Sequence, residues 1–496
     1  LVIIYLGGFM DNNIEEIFKK VKDMCGNSSD IVTRLITKKN YRLGYIYLES
    51  VSSDDKISNF LNKAILNIDK KRIFDSLFIN VKNNIFNSNI KFCNDYDELF
   101  FYLASGYTAL VLDNTDKSIV IETKASIDRG IQEASSEPII RGPKDSFTEN
   151  HSKNLGLIRK RIKDPNLYFN DVIVGVRTKT KVTVGYISDI ANKNNVDKII
   201  SKLNNINIDG IFDSGYIREL LEGKEKSLFP KVLSTERPDL ACTSLLNGKI
   251  IILVENSPFI LILPAILDDF IHSPDDNYQK PFNASFSRIL RFICFFLALV
   301  TPAIYIALMT FNHEIIPNQL LISLAIQRDG VPFPTAIEVL VFVLTFELLR
   351  QADIHAPSFS GSAMNIVGAL ILGDAAVAAG IVSPIVIIIV ATTSICELVF
   401  YDQDIIDALR EWRIIFILAS AILGIIGVVI AFIMFISKLC SLKCLNAYYL
   451  TPFSPLNINM LKDSIVRFDR KKLKKRPSIF TKNLKRMDDV NEENTN

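Results

Sequence analysis

Residues 292–311 pass about twenty positions without one charged side chain, FICFFLALVTPAIYIALMTF, and residues 414–437 do the same over a longer stretch. About twenty helical residues reach 30 Å, the thickness of a bilayer's hydrocarbon core. A helix on a soluble core keeps a polar stripe toward water. These two keep none, so the sequence predicts membrane-crossing helices at Phe292 to Phe311 and Ile414 to Ser437. Pro302 in the first is tolerable inside a membrane. Gly424 and Gly427 in the second suit close packing between helices.

These runs divide a chain of 496 residues. Residues 1–280 mix charged and apolar side chains as a soluble domain does, and residues 438–496 are polar and strongly basic. The formal net charge is only +2, which speaks against a nucleic-acid-binding protein and its large basic face. The seven cysteines are scattered and form no CxxC, and none of the four histidines lies near Cys440 and Cys444. No metal site is expected; buried, reduced thiols are. Leu1 to Met10 lack a basic start and a small-residue cleavage site, so they are not read as a secretory signal. Leu1 is read as an alternative start translated literally, with Met10 as another start, or as a truncation.

The soluble half reads as a duplication. Residues 41–48, YRLGYIYL, alternate as a strand does, and a helical pattern follows from Asp54 to Ile68. LASGYTALVLDNTDKSIVIE then reads as helix end, strand, turn and strand, with the turn at Asn114 to Asp116. The same order returns in VTVGYISDI (182–190), a helix over Val196 to Leu203, and SLLNGKIIILVENSPFILILP with its turn at Glu255 to Pro258. Gly44-Tyr45-Ile46 matches Gly185-Tyr186-Ile187, and Gly106 and Gly248 follow at nearly equal distances. Two related α/β subdomains are expected. Between the copies, Pro138 and Gly142-Pro143 break regular structure, and a helix capped by Thr148 is predicted, with Leu155, Ile158 and Ile162 as its apolar stripe. Arg159, Lys160, Arg161 and Lys163 crowd its last turn; a solvated face that complements the helix dipole accounts for them more simply than an anion site.

The stretch between the two apolar runs carries acids where hydrocarbon is expected: Glu338 and Glu347 in Thr335 to Leu349, Asp374 in Ile366 to Ile381, and Glu397 in Ile385 to Phe400. Each costs roughly 2.5 kcal/mol or more in a membrane, so each should face protein, water or the interface. For Glu338 and Glu397, near segment ends, a soluble-facing loop is the plainer alternative; Asp374 has apolar residues on both sides. Gly330 to Pro334 cannot be regular helix, and one middle segment is expected to be re-entrant or interfacial. Arg288 and Arg291 precede the first run, Lys438 and Lys443 follow the last, and the tail adds Arg470, Lys471, Lys472, Lys474, Lys475 and Arg476. Basic flanks stay in the cytoplasm. The expected fold is therefore multi-domain: an N-terminal α/β domain of two related subdomains (1–135 and 136–280), an α-helical polytopic membrane domain (281–437, four crossings plus one partial or re-entrant segment) and a short basic cytoplasmic tail (438–496). That tail is expected either to meet anionic lipid headgroups or to stay solvated.

Three stretches carry a resemblance: GNSSDIVTRLI, EPIIRGPKDSFTENHSKNLGLIRKRIKDPNL, and GVPFPTAIEVLVFVLTFELLRQADIHAPSFSGSAMNIVGALILGDAAVAAGIVSPIVIIIVA. They resemble the A subunits of the GerA family of spore germination proteins, over about Gly26 to Pro455. The resemblance implies an inner-spore-membrane protein that assembles with a B subunit resembling amino-acid transporters and a C-subunit lipoprotein. It implies nutrient sensing, a homo-oligomer and an ion-conducting channel. The match departs from the expected pattern at ICELVFYDQDI and at Asp374, which bears on local pore chemistry.

Within that frame the small, weakly polar Ser362 to Leu372 segment is the candidate pore lining, with Ser362, Asn365 and Gly368 as gate candidates, although the same residues suit ordinary helix contact. Glu347 and Asp374 are candidates to attract cations beside it. A secondary transporter is the alternative suggested by breaks at Pro332-Phe333-Pro334 and Ser383-Pro384. A scaffold for the B and C subunits, or a SpoVAF-like paralogue, is the other. No GxSxG, P-loop or HExxH occurs, so no catalytic residue and no cofactor are expected. Asp268-Asp269 and Asp275-Asp276 are read as a solvated linker.

Overall fold

The computed structural model describes residues 13–38, 41–65, 90–113, 117–125, 137–222, 227–355 and 373–486. The chain forms two units: residues 1–224, 232–264 and 473–496 in the first, 225–231 and 265–472 in the second. Each unit borrows a short segment from sequence otherwise belonging to the other.

In the first unit, helix α1 (Ile14–Met24) leads into strands β1 (Ile31–Lys38) and β2 (Tyr41–Leu48) and helix α2 (Asp54–Ile65). Strand β3 (Ile90–Cys93), helix α3 (Tyr96–Ala104) and strands β4 (Tyr107–Leu112) and β5 (Ser118–Glu122) complete the first half. The second half holds helix α4 (His151–Arg161), strands β6 (Leu167–Val174) and β7 (Thr180–Ile187), and helices α5 (Lys193–Asn204) and α6 (Ser214–Glu222). Strand β8 (Leu233–Thr235), helix α7 (Pro238–Leu246) and strands β9 (Ile250–Val254) and β10 (Ile260–Leu263) follow. The two sheets are ordered β1-β2-β4-β5-β3 and β6-β7-β9-β10-β8, which is one topology used twice. The duplication expected from glycine spacing is present strand for strand. The expected turn at Asn114 to Asp116 and the end of the helix toward Ile68 lie outside the described residues.

The repeated glycines have physical causes. Gly106 and Gly248 follow α3 and α7 with φ of 85° and 92°, the left-handed conformation that ends helices and that a Cβ disfavours. Their N–H groups donate back to Leu103 O and Leu245 O, both at 3.0 Å. At Gly44, a Cβ would lie 2.7 Å from Ile14 and Phe18 on α1, so its absence lets the helix close on the sheet. Every residue of β9 and β10 is buried, as in strands covered on both faces. All seven cysteines are free and six are buried; burial pushes the Cys25 thiol up to about 12.

Helix α4 corrects two expectations. Its N-cap is Asn150, whose side chain accepts from Lys153 N at 3.0 Å; Thr148 stands two residues earlier and accepts from Asn150 N. Arg159 is not on a solvated face: it is fully buried. Its Nε and Nη2 donate to Asp30 at 3.0 and 3.1 Å, and its guanidinium lies 4.9 Å from the Phe169 ring centre. Ser28 and Ser50 also donate to Asp30, at 2.7 and 3.1 Å. Burial alone would raise the Asp30 pKa, but the charge of Arg159 and the three donors hold it below the usual carboxylate range. The Asp30 loop meets the second sheet as well, since Ser28 Oγ accepts from Phe169 N and Ser29 N donates to Phe169 O. The ion pair thus locks α4 and the second sheet onto the loop that opens β1.

The second unit is helical: α8 (Leu267–Ile271), α9 (Pro281–Thr310), α10 (Asn318–Arg328), α11 (Thr335–His355), α12 (Pro384–Glu397) and α13 (Gln403–Ser441). By length and composition α9 and α13 are each apolar enough to cross a membrane. α13 is not straight. Gly424 sits at φ 61°, ψ −138°, and the chain reverses there. A continuous helix would hold residues 412 and 435 about 35 Å apart; the Trp412 and Phe435 ring centres are 5.2 Å apart. Phe416 also meets Phe435, at 6.2 Å. The expected single span from Ile414 to Ser437 is therefore a hairpin with arms 403–423 and 425–441. A residue with a Cβ cannot replace Gly424 easily, because Phe311 would stand 2.8 Å from it. Phe229, from the N-terminal half of the sequence, packs on Phe435 and Tyr449 with ring centres at 5.8 and 6.0 Å.

Two outcomes follow. Arg159→Ala should cost about 3–5 kcal/mol by leaving a buried carboxylate unpaired, read as faster hydrogen exchange throughout β1, β2, β6 and β7. The depressed Asp30 pKa means this stabilisation is present above the ordinary carboxylate pKa and is lost as pH falls through the lower folded value. Gly424→Ala should cost about 1–3 kcal/mol. Trp412, the only tryptophan, lies inside the hairpin and reports the loss through its fluorescence on thermal unfolding.

Candidate functional site

The helical unit takes its charges out of water in three ways. Glu338, in the first turn of α11, is 1% exposed. Its Oε1 accepts from Ser383 N at 2.5 Å and Ser383 Oγ at 2.6 Å. Ser383 is the N-cap of α12, so the carboxylate sits where unpaired N–H groups and the positive end of the helix dipole favour a negative charge. Arg328 Nε lies 3.9 Å from its other oxygen. The break at Ser383-Pro384 and the acid at Glu338 are thus one feature.

The second arrangement joins α11, α12 and the first arm of α13. Glu397, 6% exposed, is bonded by Arg413 and lies 3.4 Å from Arg410 Nε. Arg410 also reaches Glu347 at 3.1 Å and Asp407 at 2.6 Å, and Arg350 meets Glu347 at 2.6 Å. Three carboxylates face three guanidiniums, which is how buried ions avoid an uncompensated charge. Glu338 and Glu397 both face protein, one of the surroundings expected for a costly acid, and not a soluble-facing loop. Arg410 and Arg413 were missed as partners, although Asp407/Arg410 and Glu347/Arg350 stand at the i, i+3 spacing that brings helical neighbours together.

Of the sequence-predicted site residues, Glu347 belongs to this network. Asp374 is exposed and has no ion pair among the described residues. Ser362, Asn365 and Gly368 lie outside the described residues.

The third arrangement precedes the apolar part of α9. Arg291 grips Asp276 with both terminal nitrogens, at 2.7 and 2.8 Å, and Arg288 Nε adds a bond at 3.1 Å. Burial alone would raise the Asp276 pKa, but the two arginines hold it low. Arg288 continues to Asp463 O at 2.5 Å and Ser464 O at 3.3 Å. Asp268 accepts from Ser464 Oγ at 2.6 Å and lies 3.4 Å from His272 Nε2. The His272 Nε2 partner at 2.7 Å is the Ser464 carbonyl, so that nitrogen carries the proton. These acids do not form a solvated linker: Asp268 is largely buried and Asp276 is 1% exposed. Burial, with Asp269 and Asp463 nearby, pushes Asp268 up to about 7, against the pull of Ser464 and Arg288. Burial and the charge of Arg288 push His272 down to about 3.

Residues 19–479 match the Bacillus/Clostridium GerA spore germination protein family. The chain belongs to the GerA family. It is 36% identical to spore germination protein KA of Bacillus subtilis over 95% of this chain and 86% of that protein. It is 31% identical to YfkQ of the same organism, an uncharacterized membrane protein, over 97% of this chain and 95% of that one. Among solved structures it is similar to the N-terminal domain of the A subunit of the Bacillus megaterium spore germinant receptor GerK3. That likeness has 30% identity and a TM-score of 0.43, over 53% of this chain and 98% of that one. The acids in ICELVFYDQDI that depart from the expected GerA pattern have structural tasks here. Glu397 pairs with two arginines, and Asp402 caps α13 by accepting from Asp404 N at 2.9 Å and Ile405 N at 3.3 Å.

The Asp268–His272 pair gives a prediction with a worked sign. Asp268 rises from 3.8 to about 7, so its folded form holds a proton that the unfolded chain releases, and its stabilisation fades as pH rises between these values. His272 falls from 6.5 to about 3, so its contribution grows as pH rises between about 3 and 6.5. The two nearly cancel from pH 4 to 6.5. Thermal unfolding of Asp268→Asn should therefore show stability rising across that window. His272→Gln should show it falling up to pH 7.

Proposed function

We propose that this GerA-family chain is the membrane-embedded A subunit of a nutrient germinant receptor and contributes to an oligomeric, nutrient-gated ion channel in the inner spore membrane. Its partners are a B subunit resembling amino-acid transporters, a C-subunit lipoprotein, further copies of itself and membrane lipid. It carries out no covalent chemistry. The observation that supports the channel most directly is the treatment of acids in the helical unit. Glu338, Glu347 and Glu397 each have a helix end or arginines opposite them. Asp374, beside the candidate pore segment, is exposed. An exposed carboxylate there retains a full field for a passing cation, while the others hold helices together.

The hairpin adds to the expected topology. However deep α13 reaches, it returns the chain to the side it came from. With α9 as one crossing, the segments between them must cross an odd number of times for both flanks to be cytoplasmic. A transporter would use the N-terminus of a broken helix to hold an anionic substrate; here the α12 N-terminus is already occupied by Glu338.

The test is ion release from spores carrying Asp374→Asn, Asn365→Ala or Gly368→Leu, with receptor levels checked by blot. Asp374→Asn is expected to slow cation release several-fold at normal receptor level. Unchanged release from all three variants would move the pore elsewhere or reduce the chain to a scaffold. Substrate-coupled uptake by this chain alone would favour the transporter.

A further inference from the structure

The duplication allows the two subdomains to be compared at matching sites, and they differ in what covers one corner. In the first subdomain, the residues leaving β5 turn back over the end of α3. Lys124 covers Gly106, with its Cγ 2.6 Å from where a Cβ would be. Ala125 N donates to Val51 O at 3.0 Å, Ser53 N to Thr123 O at 2.8 Å, and Ser52 pairs with Lys124 as an isolated bridge. The local chain closes this corner of its own subdomain.

In the second subdomain the matching corner is Gly248 and Ile190. Ile190 N bonds Ile187 O just as Val51 N bonds Leu48 O, both at 3.2 Å. The residues leaving β10 do not cover it; Ala265 onward belongs to the helical unit. The corner is filled by residues 474–486. Thr481 takes the place of Lys124, with its Cβ 2.9 Å from where a Gly248 Cβ would be, and its Oγ1 donates to Ile190 O at 2.5 Å. Phe480 is 3% exposed, and Lys249 Nζ lies 4.7 Å from its ring centre. Arg476 donates to Leu246 O at 2.9 Å and Arg486 to Asn247 Oδ1 at 2.5 Å, at the C-terminus of α7 where the helix dipole favours cations. The segment is itself a small hairpin, with Arg476 N donating to Leu484 O and Arg486 N to Lys474 O.

We infer that residues 474–486 are a clasp: a docked segment that completes the second subdomain and, through chain continuity, ties the C-terminal end of the helical unit to the soluble domain. Its partner is this same chain, recognised by one buried aromatic ring, one threonine hydroxyl and two arginines on a helix C-terminus. The basic residues Arg476 and Arg486 are therefore committed to protein, which corrects for these positions the expectation of a tail that meets headgroups or stays solvated. The clasp is independent of whether the receptor conducts ions.

The test is hydrogen exchange of the full chain in lipid nanodiscs, followed by mass spectrometry, with a synthetic peptide of residues 473–486 as the unprotected reference. The amides of Arg476 and Arg486 should exchange at least tenfold more slowly than in the peptide, equally at two protein concentrations tenfold apart. Phe480→Ala should abolish that protection while β7 and β9 stay protected. The double variant Arg476→Ala, Arg486→Ala should weaken it without touching the subdomain core. Exchange of the wild-type segment at the peptide's rate would overturn the clasp. Protection that disappears on dilution would overturn it too, by showing that another copy's tail fills the corner.

Discussion

A guanidinium taken fully out of water must find a carboxylate and enough acceptors to replace its hydration. Arg159 meets that demand with Asp30, Ser28 and the Asp164 carbonyl. The α/β unit depends on the result. Arg159 comes from the helix that opens the second repeat and Asp30 from the loop that opens the first sheet, so neither charge is satisfied until both repeats have been made and brought together. The same demand shapes the helical unit. Glu338 finds the start of α12, Glu397 finds Arg410 and Arg413, and Asp276 finds Arg288 and Arg291. In each case the partner is distant in sequence or on another helix, so satisfying the charge fixes a packing arrangement as well.

Much of the α/β unit was legible because its signals are local. An alternating strand such as residues 41–48, a fully apolar one such as residues 250–254, and a glycine at the end of a helix each reflect forces acting within a few residues. Repetition of such signals exposed the duplication. The cap of α4 was misplaced by two residues because Thr148 and Asn150 both suit the role and only backbone geometry chooses between them. Arg159 was misread for a different reason. It stands among four basic residues, of which Lys160 and Lys163 are exposed and Arg161 is paired with Asp145, and nothing local marks Arg159 as the fully buried one.

The helical unit was legible in its apolar content and less so in its path. Hydropathy sees that residues 414–437 avoid water but cannot see direction, since a straight helix and a hairpin have the same apolar content. The clue was Gly424, read as a contact glycine and found to be a reversal point. The acids were recognised as costly, but their relief came from residues outside the apolar windows: Arg328, Arg410, Arg413 and the Ser383 backbone. The pore candidates Ser362, Asn365 and Gly368 rest on sequence alone, while Glu347 is drawn into a balanced network and Asp374 is left exposed.

The reversal at Gly424 has a consequence for how the protein enters its membrane. Between Arg413 and Lys438 the chain carries no ionisable side chain, and the Gly424 tip lies between them with only apolar and small residues on either side. Inserting a single span would require one flank to be carried through the bilayer with its charges. A hairpin closed at its apolar tip needs no such passage. It would enter the lipid from one face, its backbone already hydrogen-bonded along both arms. A helix bent at Gly424 would in this way spare biogenesis a translocation step.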